Sequence, residues 1–202
     1  MLTKHTLRRF LKTLGYSWKR FRKSLKSKQN EEEYNRKLAD LERLLELHKS
    51  KYIDLFFADE SSFNLEGYVP YGWQFEDEQV CIEVTKGRAI NCFGLLSRDN
   101  HLIAKTTEKN INSEFVLEQL ETFSFNLQKP TVVVLDNASA HTAKKIKDRI
   151  TCWQKRGLYI FYLPPYSPQL NIIERFWKEL KEVLDGKALM ERVLIAWLLR
   201  LA

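Results

Sequence analysis

The chain has little of what several protein classes require. Its three cysteines, Cys81, Cys92 and Cys152, are an odd number at spacings that match no zinc or redox pattern, so they read as reduced and mostly buried, in a reducing compartment. Seven glycines and five prolines in 202 residues exclude collagen-like and low-complexity chains, and 44% hydrophobic residues exclude a disordered one. No apolar run spans a bilayer: Ala188 to Leu201 is too short and is broken by Glu191, Arg192 and Arg200, so no membrane partner and a soluble chain are expected. The N-terminus lacks the uninterrupted apolar stretch of a secretory signal. Its basic, acid-free character leaves a mitochondrial presequence as the alternative, against which Gly15 and the tract after it read as a helix end and a linker.

The most informative absence is that of acid at one end. Residues 1 to 30 carry ten Lys or Arg and no Asp or Glu, whereas the other 172 residues hold 23 bases and 26 acids. The overall +7 is therefore a basic arm on a slightly acidic body, and such an arm suits a polyanion. Within it, residues 3 to 14 read as a short helix with Thr3 as N-cap, apolar Leu7, Phe10, Leu11 and Leu14 at helical spacing, and Gly15 at its end. That stripe needs a partner, because a helix this short does not hold itself together in water. Residues 31 to 51 read as an exposed connecting helix with Tyr34, Leu38, Leu41, Leu45 and Leu47 as its apolar positions.

Beyond residue 51 the period changes. Tyr52 to Ala58, Val80 to Thr85, Ala89 to Leu96 and His101 to Thr106 read as strands, with further strand pieces near Tyr68 to Gln74. Ser113 to Phe123 reads as a helix and Thr131 to Leu135 as a strand buried on both faces. Ala140 to Lys155 is the next helix, Leu158 to Leu163 a further strand, and a helix follows from about Leu170 to Leu184. The order β-β-β-α-β-α-β-α makes this an α/β domain over residues 52–185, with residues 186–202 as a C-terminal helix.

Acids at the ends of buried strands are the candidates for chemistry, because ligands and catalysts collect at that edge of an α/β sheet. Asp59 is expected to close the first strand and Asp136 the central one. Each taken singly has the alternative of an Asx-turn. Glu174 is the third candidate: Ile173, Phe176, Trp177, Leu180 and Leu184 form the buried stripe of the last helix, and Glu174 sits about 100° away, half-buried at the stripe's margin. Its alternative is a surface ion pair with Lys178 at i+4. The lead-in Pro164-Pro165-Tyr166-Ser167-Pro168 favours a fixed functional position. Three carboxylates with no Cys or His at ligand spacing select Mg²⁺ or Mn²⁺ over zinc. Crowded like charges resist ionising together, which favours cation uptake, and two such ions ~4 Å apart serve phosphodiester cleavage.

Three blocks now carry a resemblance. Phe57-Ala58-Asp59-Glu60-Ser61, Val134-Leu135-Asp136-Asn137-Ala138 with His141 behind it, and Leu163 to Asn171 leading into Glu174-Arg175-Phe176-Trp177 resemble the mariner superfamily of transposases, and within it the bacterial insertion-sequence branch of the six-thirty group. The resemblance covers roughly residues 50 to 184. It implies a ribonuclease-H-like mixed sheet flanked by helices and cut-and-paste DNA transposition. It also implies a catalytic, metal-binding triad of Asp59, Asp136 and Glu174, with Asn137 and His141 near the site. His141 would touch DNA, position a group or serve structurally at a helix N-terminus. Trp73 resembles an aromatic of the family's Tyr-Gly-Trp segment. Residues 2 to 27 are similar to the end of a paired helix-turn-helix DNA reader and its linker, so Arg8, Arg9, Lys12, Lys19, Arg20, Arg22, Lys23 and Lys26 are expected to contact DNA. The implied partners are double-stranded DNA, as terminal inverted repeats and target, and a second copy in a homodimer. The implied place is the bacterial cytoplasm, at the nucleoid.

Two departures accompany the resemblance. Asp136 and Glu174 are separated by 37 residues, slightly more than the family's mid-thirties, which a longer loop near Trp153 to Gly157 would absorb. A full family member would also bring two helix-turn-helix units before position 1, so a catalytic domain with only the tail of its DNA reader is expected. The alternatives are a truncated, non-catalytic product that represses transposition and a cellular nuclease of the same fold.

Overall fold

The computed structural model describes residues 3–17, 30–64 and 89–185. Two helices come first, α1 (Lys4–Thr13) and α2 (Glu31–Lys49). Strands β1 (Asp54–Asn64), β2 (Ala89–Ser97) and β3 (Leu102–Thr107) follow, then α3 (Ser113–Ser124), β4 (Thr131–Leu135), α4 (Lys144–Lys155) and β5 (Leu158–Tyr162). A single 3₁₀ turn, Pro168–Leu170, leads into α5 (Ile172–Asp185). The expected strands near residues 68–74 and 80–85, Trp73, Cys81 and the helix over 186–202 lie outside the described residues.

The sheet runs β3-β2-β1-β4-β5, antiparallel through β3, β2 and β1 and parallel from β1 through β4 to β5. This mixed sheet with helices on both faces is ribonuclease-H-like, as the resemblance implied. Strand parity makes two cores. Leu55, Phe57, Phe63, Cys92, Val132 and Val134 pack with Ile173 and Trp177 of α5 and Leu41 of α2. On the opposite face Phe56, Ala58, Phe93, Leu95, Val133 and Leu135 pack with Val116, Leu120, Ile146 and Trp153 of α3 and α4. Trp153 is fully buried and donates from its indole N–H to Glu121, which also accepts from Arg149 and Arg156 and so ties α3 to α4. Cys92 is buried, which pushes its thiol up to about 12, and Cys152 is half-buried; both are free.

Three boundaries that bear on the candidate residues differ from the sequence reading. Asp59 does not close β1, which runs on to Asn64, because antiparallel pairing with β2 continues through Asn64↔Ala89 after parallel pairing with β4 stops at Phe57↔Val134. Helix α4 starts at Lys144 and not at Ala140, because Ala138 to Thr142 form a turn in which the N–H groups of His141 and Thr142 both bond the Ala138 carbonyl. His141 is therefore a buried turn residue and not a helix N-terminal one. Helix α5 starts after the proline-initiated 3₁₀ turn, two residues later than Leu170.

At the other end α1 matches its expectation closely. The Thr3 hydroxyl caps the Thr6 N–H, Gly15 takes a φ of +82°, and no side chain is buried, so Leu7, Phe10, Leu11 and Leu14 remain exposed. Asn30 caps α2 by accepting from the Glu33 N–H.

Candidate active site at the sheet end

The site is built where parallel pairing ends. Extending the β1/β4 register past Phe57↔Val134 sets Asp59 beside Asp136. By parity Asp59 faces α5, and α5 brings Glu174 to the same end. Two asparagines fix these pieces. Asn171 donates from Nδ2 to the carbonyl of Ala58 at 3.1 Å, tying the entry of α5 to the residue before Asp59. Asn137 donates to the carbonyl of Leu163 at 2.6 Å, tying the exit of β4 to that of β5. Behind them Gly94, register partner of Asp59, lets the Trp177 ring lie against the strand: a Cβ there would stand 2.7 Å from it.

Glu174 lies on a ridge between two clefts. One, of about 420 Å³, is lined by Asp136, Asn137, Ala138, the Leu163–Pro168 segment, Asn171 and Glu174. The other, of about 350 Å³, is lined by Asp59, Glu60, Ser61, Glu174, Trp177, Lys178, Lys181 and Glu182. Glu174 is exposed, not half-buried as its helical position suggested, because the stripe it borders is anchored by Ile173 and Trp177 while Glu174 itself overhangs both clefts. Lys178 pairs forward with Glu182 at 3.7 Å and Arg175 with Glu179 at 2.8 Å, so Glu174 is not consumed by the ion pair that the sequence offered.

The electrostatics are those of crowded acids. Burial, and then the neighbouring charges of Glu174, Glu60 and Asp136, push Asp59 up to about 7 against a bond from the Glu60 backbone N–H. Although the Glu174 side chain is exposed overall, the protein around the two clefts desolvates its carboxyl, and this and the charge of Asp136 raise it against Lys181. Asp136 behaves oppositely. Burial pushes it up, but hydrogen bonds from His141 and the Ala138 N–H outweigh burial and hold it below the usual carboxylate range.

His141 is fully buried; its Nδ1 stands 2.6 Å from Asp136 Oδ1 and its Nε2 3.0 Å from the Glu60 carboxylate. Burial opposes its protonation, but the two carboxylates win and push it up to about 10, so both ring nitrogens donate. Glu60 received no role from the sequence. Its signal was parity, since the residue after Asp59 on a strand must face the other side.

Among the described residues no three His, Cys, Asp or Glu side chains are gathered into a ready-made metal cage. Asp59, Asp136 and Glu174 are coupled electrostatically without yet being in coordination geometry. Their chemistry, carboxylate oxygens with unbalanced charge, fits a hard divalent cation. Of the expected DNA contacts, Arg8, Arg9 and Lys12 lie exposed on α1, and Lys19, Arg20, Arg22, Lys23 and Lys26 lie outside the described residues. No helix among the described residues is long and apolar enough to cross a membrane.

Known proteins resemble this chain in sequence and in fold. The family model of the DDE superfamily endonucleases matches residues 54–193. An insertion element IS630 uncharacterized 39 kDa protein of Shigella sonnei is 22% identical over 185 residues, covering 89% of this chain and 52% of the relative, so the chain spans about half the length of the curated relative it matches. The Mos1 mariner paired-end complex with Mn superposes with a TM-score of 0.65 at 16% identity, covering 97% of this chain and 63% of that one. The catalytic domain of Mos1 mariner transposase superposes with a TM-score of 0.55 at 16% identity, covering 89% and 84%. At such identities the structural likeness establishes the fold.

Proposed function

Because the chain belongs to the DDE superfamily of endonucleases, we propose that its sheet-end acids cut double-stranded DNA at the ends of a mobile element and join the freed end to target DNA, as in cut-and-paste transposition. The observation that carries this is the delivery of three acids to one sheet end by β1, the turn after β4, and α5, with Glu174 lining one cleft with Asp136 and the other with Asp59. Two Mg²⁺ or Mn²⁺ ions held by these three carboxylates would supply Lewis-acid stabilisation of the phosphoryl oxygens and a water of lowered pKa.

The chain's own residues do the positioning. Asn171 and Asn137 fix the spacing of the elements that carry the acids. Lys178 and Lys181 line the Asp59 cleft and offset part of the repulsion that its four acids, Asp59, Glu60, Glu174 and Glu182, exert on the phosphate backbone. Arg8, Arg9 and Lys12 on α1, with Lys19, Arg20, Arg22, Lys23 and Lys26 after them, supply sequence-independent, salt-sensitive affinity. A homodimer is the working unit, since two element ends must meet, and the bacterial nucleoid is the place of action.

The test is cleavage of supercoiled DNA carrying terminal inverted repeats in Mg²⁺ or Mn²⁺. Asp136→Asn is expected to reduce it to background, and retained cleavage overturns the assignment. Binding of end-bearing DNA by the parent chain, without cleavage and without response to metal, replaces this reading with that of a non-catalytic repressor.

A further inference from the structure

We propose that His141 and Glu60 are positioning residues for Asp136: the imidazole, clamped between two carboxylates, decides which oxygen of Asp136 is presented to a divalent cation. This rests on the reading of Asp136 as a metal-binding acid and adds two residues to it.

The geometry is asymmetric in a way that bulk packing does not require. Both hydrogen bonds to the Asp136 carboxylate, from His141 Nδ1 at 2.6 Å and from the Ala138 N–H at 2.9 Å, fall on Oδ1. Oδ2 is left to take a further ligand, and a carboxylate gripped twice on one oxygen cannot swing that oxygen outward. The imidazole is itself immobilised. Its Nε2 meets Glu60 at 3.0 Å, its backbone N–H bonds the Ala138 carbonyl, its own carbonyl accepts from the Tyr162 hydroxyl at 2.9 Å, and the Phe93 ring packs on it edge to face.

Glu60 works from the other side of the sheet. Strand β1 delivers Asp59 to the α5 face and Glu60, one residue on, to the face where His141 is buried. One strand thus serves the site twice, once with an acid and once with the support of another acid. Partners behind a ligating carboxylate typically contribute ~10–100-fold in metal affinity.

The experiment is Mn²⁺ titration of the full chain, following free Mn²⁺ by electron paramagnetic resonance, with thermal melting alongside. His141→Gln places its amide where Nε2 was, keeps the Glu60 contact and loses that to Asp136; an affinity loss of ~10–100-fold is expected. His141→Asn places its amide where Nδ1 was, keeps the bond to Asp136 and gives up that to Glu60, and is expected to lose less affinity than His141→Gln, although it fills the cavity less well. Parent-like binding by His141→Gln, or equal losses in the two variants, overturns the inference, because a space-filling role ranks Gln above Asn. Should the histidine variants fail to fold, Glu60→Ala, at a partly exposed strand position, carries the test: loss of affinity is expected there, with recovery in Glu60→Gln, which keeps an acceptor for Nε2. Parent-like binding in Glu60→Ala, or equal losses in Ala and Gln, overturns it. Asp136→Ala separates the two levels. If it leaves Mn²⁺ binding unchanged, the metal reading fails and takes this inference with it; if it abolishes binding while the His141 and Glu60 variants bind normally, the positioning inference alone fails.

Discussion

Gly94→Ala adds one methyl group at the seat of α5. In the structure that carbon would lie 2.7 and 2.8 Å from two ring carbons of Trp177 and 3.1 Å from Ile173 Cδ1. Ordinary carbon contacts are ~3.5–4.0 Å, so the indole must withdraw by about 1 Å. Trp177 is 2% exposed and Ile173 fully buried, so the ring has no open space to enter and α5 moves with it. Overpacking of this kind costs ~1–3 kcal/mol, which in a chain of this size lowers Tm by about 2–12 °C. The larger effect falls on function. Glu174 is carried on α5 and Asp59 is the register partner of Gly94, so the displacement widens their separation directly, and a misplacement of about 1 Å costs ~10²-fold in rate. The assay pairs thermal melting with metal-dependent cleavage of end-bearing DNA. A second variant makes the test specific: Trp177→Phe in the Gly94→Ala background removes the clashing half of the indole and is expected to restore both readouts in part, by a non-additive interaction. The indole N–H of Trp177 is buried without a partner, so Phe sacrifices no hydrogen bond. A Gly94→Ala chain with parent Tm and parent cleavage would refute the claim that this contact sets the spacing of Asp59 and Glu174.

Further outcomes follow from the charges. Glu121→Ala strands the buried indole N–H of Trp153 and is expected to cost ~1–3 kcal/mol in urea unfolding at pH 7. Hydrogen bonds from Arg149, Arg156 and Trp153 hold Glu121 down at about 2, so its contribution is fully present above pH 4.5 and is lost as pH falls toward 2; the parent and Glu121→Ala unfolding curves should converge there. Asp59 has the opposite sign. With its carboxyl pushed up to about 7 in the metal-free fold, its ionisation opposes folding increasingly from about pH 4 to pH 7. Asp59→Asn should therefore raise Tm in EDTA more at pH 8 than at pH 5, and an equal gain at both would contradict the raised value. Deleting residues 1 to 29 removes ten bases but leaves the Asn30 cap of α2 in place and, over α1, removes no buried side chain, so DNA affinity and its salt slope should fall while Tm holds; an unchanged slope would mean that the arm does not carry the affinity.

Much of this fold is written locally. Thr131 to Leu135 reads as a doubly buried strand because the four consecutive apolar residues after Thr131 admit no polar face, and all five residues are buried. Helix starts follow from Thr3, Asn30 and Asn112, whose side chains satisfy N–H groups that only short-range geometry can reach. The stripe of Ile173 and Trp177 predicts the face that α5 buries, since helical period is a property of the backbone alone. Asp59, Asp136 and Glu174 were legible as candidates for the same reason, each being tied by a short spacing to an element that its neighbours define.

Tertiary structure decided what depends on partners far along the chain. Asp59 sits inside β1 because β2, from residue 89 onward, goes on pairing where β4 stops. The contact of His141 with Glu60, 81 residues away, could not be read from the residues around either one. That Gly94 receives Trp177, that Asn171 holds the carbonyl of Ala58, and that one acid rises to about 7 while its neighbour falls are consequences of burial and proximity. Residue type and period fix which groups a segment can offer and which face it turns inward. The electrostatic state of those groups is a sum over everything the folded chain brings near them, and no local stretch of sequence contains that sum.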